Sequence, residues 1–445
     1  MSLAVGLVLA DSSVVVLALP AIYRDLDTTV KGVTWVLVSF NLVLALAALP
    51  AAMLARRAGP GRVAAAGLAV FAGASLACAA AGSLETLLAA RCVQALGGAA
   101  AVTAALELMP VVTGTERGAA AAWAAAGATG AALGPAVGGL LTELASWQSI
   151  FLVGVPLAIG AGLPLLGIAR AEGRSETREA ELRRTGRPHL AANLALALVS
   201  AGIAAALFLL VLLLIEGWRL TPIGAAVVVS AMPLAALAGS RLVPLVPSAR
   251  ARAAAGAILV AGGLAGLGLL PKALVVLVLL PQVLVGIGIS LVLSALTETA
   301  LEGRAPQAIH GGWTIASRHA GVVVGLLALT PIFTADLAEQ RRDAVDAGTA
   351  VVLDARLDPV LKVELAGRIS TRLDAERGRV PVIDPAFEPL PADAGDRADV
   401  LRLKADLQDQ LDRAATHAFS ASFLIAALLS LAALLPVGLA RRVEL

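Results

Sequence analysis

Between residues 3 and 333 the sequence repeats one event eleven times: a run of about twenty apolar residues closed by a short turn bearing charge, glycine or proline. A twelfth run follows at 417–440. A helix needs ~20 apolar residues to cross a hydrocarbon core of ~30 Å, and within it every backbone donor and acceptor is satisfied internally. Strands would alternate apolar and polar residues, and these runs do not. The pattern predicts helices over 3–22, 33–55, 62–81, 84–110, 117–141, 148–169, 191–215, 221–241, 253–270, 272–298, 308–333 and 417–440. At 59% hydrophobic residues, against about 45–50% in soluble domains, a soluble fold is excluded. The first run starts just after Met1 and equals the others in length, so it reads as a span rather than a cleaved leader.

Lys and Arg are retained on the cytoplasmic side, so the short loops set the orientation. With the amino terminus inside, sixteen basic residues fall in cytoplasmic loops, Arg56, Arg57, Arg62, Arg117 and Arg304 among them, and four, Arg24, Lys31, Arg219 and Lys272, fall outside. Both termini are therefore expected in the cytoplasm, with the chain multi-pass in a bacterial plasma or inner membrane. The arginine-rich stretch 170–190 reads as a cytoplasmic linker between two six-helix halves, 1–169 and 191–445, a transporter layout. The second polar stretch, 334–416, holds 12 basic and 17 acidic residues and lies outside by the same count. Two apolar stripes within it, Val360, Leu361, Val363, Leu365, Ile369 and Leu373, then Val400, Leu401, Leu403, Leu407 and Leu411, predict an extracytoplasmic helical hairpin that could meet an extracytoplasmic partner.

Asp11 lies near the middle of the first run, where a carboxylate costs about 3 kcal/mol or more unless it faces a cavity, finds a partner or takes up a proton. It is the first candidate for proton coupling or cation recognition; the alternative is a hydrogen bond that only ties helices together. Arg91 and Gln94 share a face of the fourth run at i+3. At 1.5 Å per residue Asp11 sits ~12 Å from one membrane edge and Arg91 ~10 Å from the other, leaving ~8 Å, within an arginine's reach. A protonation-sensitive contact, a fixed ion pair and an arginine snorkelling outward all fit that depth. Glu107 is a helix-end residue, either part of a gate cluster with Arg56, Arg57 and Arg117 or an ordinary interfacial acid.

In the fifth run Gly127, Gly130, Gly134 and Gly138 form a stripe, accompanied by Pro135 and Gly139. Small residues let another backbone approach and Pro135 loosens the local ladder, which suits either a rocking helix or a static seam. Arg318 and His319 precede Gly321 and Gly325 in the eleventh run; the arginine requires an acceptor and joins Gly130, Gly134, Pro135, Gly138 and Gly139 as a candidate conformational-switch residue, and the histidine, which ordinarily titrates near neutrality, reads as titratable or structural. Asn41, Gln94, Thr103, Thr129, Ser294 and Trp313 are polar or amphipathic residues at depths suited to a substrate cavity.

No phosphate-binding loop, nucleophile elbow or zinc spacing is present, so no enzyme activity, cofactor or metal is expected. Cys78 and Cys92 lie in apolar runs, away from any histidine at ligand spacing. The net charge is +2 with no basic stripe interleaved with aromatics, which argues against a nucleic-acid partner.

Together these residues resemble the major facilitator superfamily, and within it the drug:proton antiporter branch whose members often have fourteen spans, here reduced to twelve. Asp11-Ser12-Ser13 through Ala18-Leu19-Pro20 is similar to that branch's first-helix motif, and Arg91, Gln94, Gly97 and Gly98 to its fourth-helix motif. Gly130, Gly134, Pro135, Gly138 and Gly139 resemble the antiporter motif of helix five, and Trp147, Ile150, Phe151, Val155 and Pro156 the start of helix six. The resemblance implies an all-α membrane protein that exports drug-like or amphiphilic small molecules by alternating access in exchange for protons, with Asp11 as membrane carboxylate and Arg91 in the proton relay. The family's loop between helices two and three carries an acid where this chain has Arg56, so its usual charge clamp is absent. Lipid or lipid-conjugate flipping is the alternative within transport, and a membrane sensor or scaffold acting through 334–416 the alternative outside it.

Overall fold

The computed structural model describes residues 1–114, 116–172, 187–302, 304, 306–355, 357–375, 383–388, 390 and 394–439; most of the expected linker, 173–186, lies outside the described residues. The first six helices are α1 (Ser2–Asp25), α2 (Val30–Ala58), α3 (Pro60–Ala79), α4 (Leu84–Thr113), α5 (Glu116–Leu144) and α6 (Ser149–Glu172). The rest are α7 (Leu190–Leu212), α8 (Pro222–Val229), α9 (Ala231–Gly239), α10 (Ala249–Gly268), α11 (Val275–Leu301), α12 (Gln307–Asp354), α13 (Pro359–Ala375), α14 (Ala394–Ala418), α15 (Ser420–Ala432) and α16 (Leu434–Leu439). Eleven segments among the described residues are long and apolar enough to span a membrane. The twelfth span is α5, 29 residues long and uncharged from Gly118 to Leu141. Among the described residues the fold is thus an all-α bundle of twelve spans.

Some spans comprise more than one element, for local reasons. The seventh ends α7 with a single π turn, Leu213–Gly217. The eighth divides into α8 and α9 at Ser230, and the last into α15 and α16 at Ala433. Each break falls just after the carbonyl that a proline ring opposes four residues later, Val229 before Pro233 and Ala432 before Pro436.

Glycines set the packing within each half, and the same contacts recur in both. Gly67 of α3 and Gly97 of α4 abut each other's backbone, as do Gly256 of α10 and Gly288 of α11. Gly130 of α5 rests on the backbone of Gly6 in α1, while Gly321 and Gly325 of α12 rest on Ala197 and Ala201 of α7. Spans three, four, one and five therefore have counterparts in nine, ten, seven and eleven, the signature of two related six-helix units. The halves meet where α2 packs on α12 and where α5 packs on α8 and α9.

The eleventh span departs from its expected end. α12 continues 21 residues beyond 333, to Asp354, so that 48 residues and about 72 Å form one helix. The apolar run marks only the part in hydrocarbon; the polar continuation is rich in alanine, arginine and aspartate, with no proline to stop it. The expected hairpin is therefore a helical appendage of three parts, α12's extension, α13 and α14, around a small core of Val352, Leu357, Leu365, Ile369, Phe387, Val400, Leu403 and Leu407. Val360 and Val363, assigned to the first stripe, are each 76% exposed, and Leu401 is also outside the core. The working stripes step by three and four, Leu361, Leu365, Ile369 and Val400, Leu403, Leu407, Leu411.

Candidate functional site

Four helices converge on Asp11. Its Oδ2 accepts from Arg91 Nη1 at 2.5 Å and its Oδ1 from Gln94 Nε2 at 3.2 Å. Arg91 Nη1 also donates to Gln94 Oε1 at 2.6 Å, and Nε donates to the Val36 carbonyl at 3.3 Å. Gln94 Nε2 reaches Ser75 Oγ at 2.9 Å, so α1, α2, α3 and α4 are tied at one point. The guanidinium lies 4.1 Å from the Phe40 ring centroid and 5.6 Å from that of Phe151, a cation–π sandwich in a desolvated place. Arg91 is fully buried, yet its Nη2 has no hydrogen-bond partner among the described residues. Arg91 thus meets Asp11 directly instead of snorkelling outward, the contact common to a fixed pair and a protonation-sensitive one.

Beside Asp11 lies a cavity of about 410 Å³ between α1, α5 and α6. Its floor holds Asp11, Ser75 and Gln94; its mouth is formed by Leu3, Leu133, Val153 and Leu157, all exposed on the bundle's outer surface. In this conformation Asp11 therefore faces a guanidinium on one side and mostly apolar walls on the other.

The glycine stripe of α5 grips α1 around this carboxylate. Gly127 meets the end of the Leu9 side chain, while Gly130 meets the Gly6 backbone, Gly134 meets Ser13 and Val14, and Gly138 meets the Val14 backbone, the last three too closely to admit a side chain. Gly139 turns the other way and abuts Pro222 and Ala226 of α8, in the other half. Pro135 is buried between these contacts.

The remaining candidates divide. Asn41 is buried and donates from Nδ2 to the Leu37 carbonyl at 2.8 Å and to Ser12 Oγ at 3.4 Å, while its Oδ1 lies 2.6 Å from His319 Nδ1, a hydrogen bond between halves. Thr103 is buried and returns its hydroxyl to the Ala99 carbonyl; Ser294 does the same to Ser290. Thr129 lines the α1/α5/α6 cavity rather than the seam between halves. Trp313 is a correction: it is 38% exposed on the side of α12 away from α2, α4 and α7, because a helix with neighbours on one face turns its large apolar residues to lipid on the other. Glu107 Oε2 accepts from Ala308 N at 3.3 Å and so caps α12 across the seam. Arg56 is half-buried and Arg57 exposed at the end of α2, and the side chain of Arg117 lies outside the described residues.

Sequence reading missed the opposite end of the seam. There Tyr23 donates to Glu216 Oε2 at 2.5 Å and Arg24 Nη2 to its Oε1 at 2.7 Å, joining α1 to the π turn after α7. Glu143 Oε2 accepts from Ile223 N at 2.7 Å, binding α5 to the start of α8. The available signal was Glu216 itself, the sole acid between residues 190 and 297.

The appendage docks next to this end. Arg219, held at φ 55°, donates to Asp384 at 2.7 Å and to Gln408 at 3.1 Å, and Trp218 donates to Thr416 at 2.9 Å. Lys404 approaches the other Asp384 oxygen at 2.7 Å, and this lysine's hydrogen bond and charge, with the Arg219 charge, hold the Asp384 carboxyl below the usual range against a smaller cost of burial.

Residues 1–330 match the family described as Major Facilitator Superfamily. The chain is 39% identical over 180 residues to a methylenomycin A resistance protein of Streptomyces coelicolor, covering 39% of this chain and 38% of that one. It is 33% identical over 180 residues to the drug efflux pump JefA of Mycobacterium tuberculosis, covering 40% and 35%. The aligned stretch thus spans well under half the length of these relatives. Among solved structures, a bacterial homologue of the human lysosomal transporter Spinster, in an inward-facing occupied conformation, superposes with a TM-score of 0.64 at 16% identity, over 99% of this chain and 95% of that one. The xylose transporter XylE from E. coli, partially occluded and inward open, does so with a TM-score of 0.56 at 13% identity over 73% and 88%.

Proposed function

The chain belongs to the Major Facilitator Superfamily, a family of transporters rather than enzymes, and from that premise we propose that it exports drug-like or amphiphilic small molecules by alternating access in exchange for protons. The observation that carries this is the buried Asp11–Arg91–Gln94 cluster, placed where the glycine stripe of α5 closes on α1. Relatives named for drug resistance and efflux support the direction and the class of cargo.

In this reading the proton and the Arg91 guanidinium compete for the Asp11 carboxylate. Protonation belongs to a state in which the pair has opened and water reaches it, because in the present one the cation occupies Oδ2. Opening frees Arg91 and Gln94 to take new partners, and the small-residue contact of α5 on α1 lets the helices slide without unpacking large side chains. Both termini are cytoplasmic, the membrane is a bacterial plasma or inner membrane, and the appendage 334–416 stands outside it, beside the exit end marked by Glu216. The linker 170–190 joins the halves on the cytoplasmic side.

The test is efflux of a panel of fluorescent amphiphiles from proteoliposomes of defined pH gradient, with wild type and Asp11→Asn. Gradient-driven transport by wild type, lost on dissipating the gradient and lost in the variant, is the expected result. Transport that persists through both would overturn proton coupling at Asp11.

A further inference from the structure

Arg318 is a cation inside the bundle that the cluster around Asp11 does not use. Its position follows from the contacts of α12. Gly311, seven residues before it, meets Leu106 of α4, and Gly325, seven residues after it, meets the backbone of Ala201 in α7. Seven residues are close to two turns, so Arg318 lies on the same interior face as both glycines. The opposite face carries Trp313, Val324 and Leu327, all exposed to the surroundings of the bundle. On the flank toward α2, Gly312 packs against Ala48 and Leu49, and His319 holds Asn41.

Arg318 is thus at the seam between the halves, about ten residues or ~15 Å along α12 from the Glu107 cap at Ala308. It has no hydrogen-bond or ion-pair partner among the described residues. It keeps some accessible surface although it sits on an interior face. The nearby acids are committed elsewhere: Asp11 to Arg91, Glu107 to the α12 N-terminus and Glu216 to Tyr23 and Arg24. The adjacent imidazole, neutral or cationic, supplies no anion, and its Nδ1 faces Asn41 Oδ1.

An arginine at membrane depth without an acceptor is costly, and one facing a cavity marks a ligand path. Its planar fork matches an oxyanion with two parallel hydrogen bonds, which neither an amine nor an uncharged ring can exploit. We propose that Arg318 is the substrate-recognition residue for an oxyanion, foremost a carboxylate, carried by the exported molecule. This rests on the export reading above and narrows it: the cargo is an acidic amphiphile, and lipophilic cations are disfavoured by the uncompensated guanidinium. The carboxylate would fill the space beside Arg318, with its apolar body against the surrounding helices.

The test uses the full chain, purified in detergent and in proteoliposomes, with one aromatic skeleton in four forms: 1-naphthoate, 1-naphthyl phosphate, methyl 1-naphthoate and 1-naphthylmethylamine. Wild type is expected to bind the naphthoate at least tenfold more tightly than the ester or the amine. Arg318→Gln is expected to remove that preference while leaving ester binding unchanged, and Arg318→Lys to retain part of it as a point charge without the fork. Should Arg318→Gln fail to fold, judged by its melting transition, the lysine variant's partial loss for the acid alone carries the test. Naphthyl phosphate binding in preference to naphthoate would assign the oxyanion to a phosphoryl group. Equal binding of acid, ester and amine by wild type, or an equal loss for acid and ester in the variants, would overturn the proposal. Failure of gradient-driven efflux for every compound, with the acid preference intact, would sink the export reading and not this site.

Discussion

Removing Arg91 alone should cost about as much as removing both partners of the pair. Arg91→Gln leaves a carboxylate buried near the membrane's centre with Gln94 as its remaining donor, and losing one partner of a buried pair costs about 3–5 kcal/mol. Asp11→Asn is milder: the guanidinium keeps Gln94, the Val36 carbonyl and the Phe40 face, and the new amide oxygen can still accept, so about 1–3 kcal/mol is expected. The double variant replaces a charge pair with two amides able to bond each other. Its loss should fall short of the summed single losses by about 2 kcal/mol, within the usual range for residues in contact. Titration with a denaturing detergent in mixed micelles, followed by tryptophan fluorescence, measures all three. Additivity within about 0.5 kcal/mol would refute the claim that these side chains hold each other in the folded protein.

Two further outcomes follow from the geometry. Gly134→Leu should lower stability by about 1–3 kcal/mol or more and abolish efflux, because its side chain would overlap Ser13 and the Val14 backbone, whereas Gly160→Leu, which faces open space, should change neither; matched melting curves and efflux rates decide. For the appendage, Asp384 has its folded-state pKa lowered, so its contribution is fully present above the unfolded value near ~3.9 and is lost as pH falls through the folded one. Docking of 334–416, read by limited proteolysis, should be constant from pH 5 to 8 and loosen below about 4; Asp384→Asn should loosen it at neutral pH by less than about 1 kcal/mol, since the group is well exposed.

The fold was legible because hydrocarbon imposes one solution: a run long enough to cross must be a helix, and most spans begin and end within a few residues of the apolar runs. What was not legible has a common cause. The apolar run identifies where lipid ends and not where a helix ends, so α12 outlasts its run by 21 residues. Composition finds Asp11 and Arg91 as expensive charges but is blind to neutral neighbours, and Ser75, Phe40 and Val36 complete the cluster without any sequence mark. Depth without azimuth misplaced Trp313, since residues at one height can face lipid, a side cavity or the seam. Glu216 escaped because it ends an apolar run, where an acid is easily taken for a membrane-surface residue.

The distribution of interaction strength also bears on how the halves move. Within the first half, the Asp11–Arg91 pair and the backbone-to-glycine contacts are buried and specific. Across the seam the ties are weaker. At one end the Arg24–Glu216 pair has its arginine side chain 54% exposed, a geometry worth about 1 kcal/mol or less. At the other, Glu107 meets a helix N-terminus, a contact of about 0.3–1 kcal/mol, alongside a small apolar patch of Ala52, Ala308 and Ile309. The Glu216 end also carries the Tyr23 and Glu143 hydrogen bonds and is the more firmly held of the two, so a rocking cycle would have to break those contacts to open it. Under the alternating access proposed above, the halves would move as bodies while their interiors stay packed. In that motion the His319–Asn41 bond, the buried polar tie between α12 and α2, must either break or act as the pivot, and its place at the same depth as Arg318 sets it beside the proposed cargo site. A cargo carboxylate on Arg318 would therefore touch the seam itself, giving the substrate direct leverage on the equilibrium between the two states.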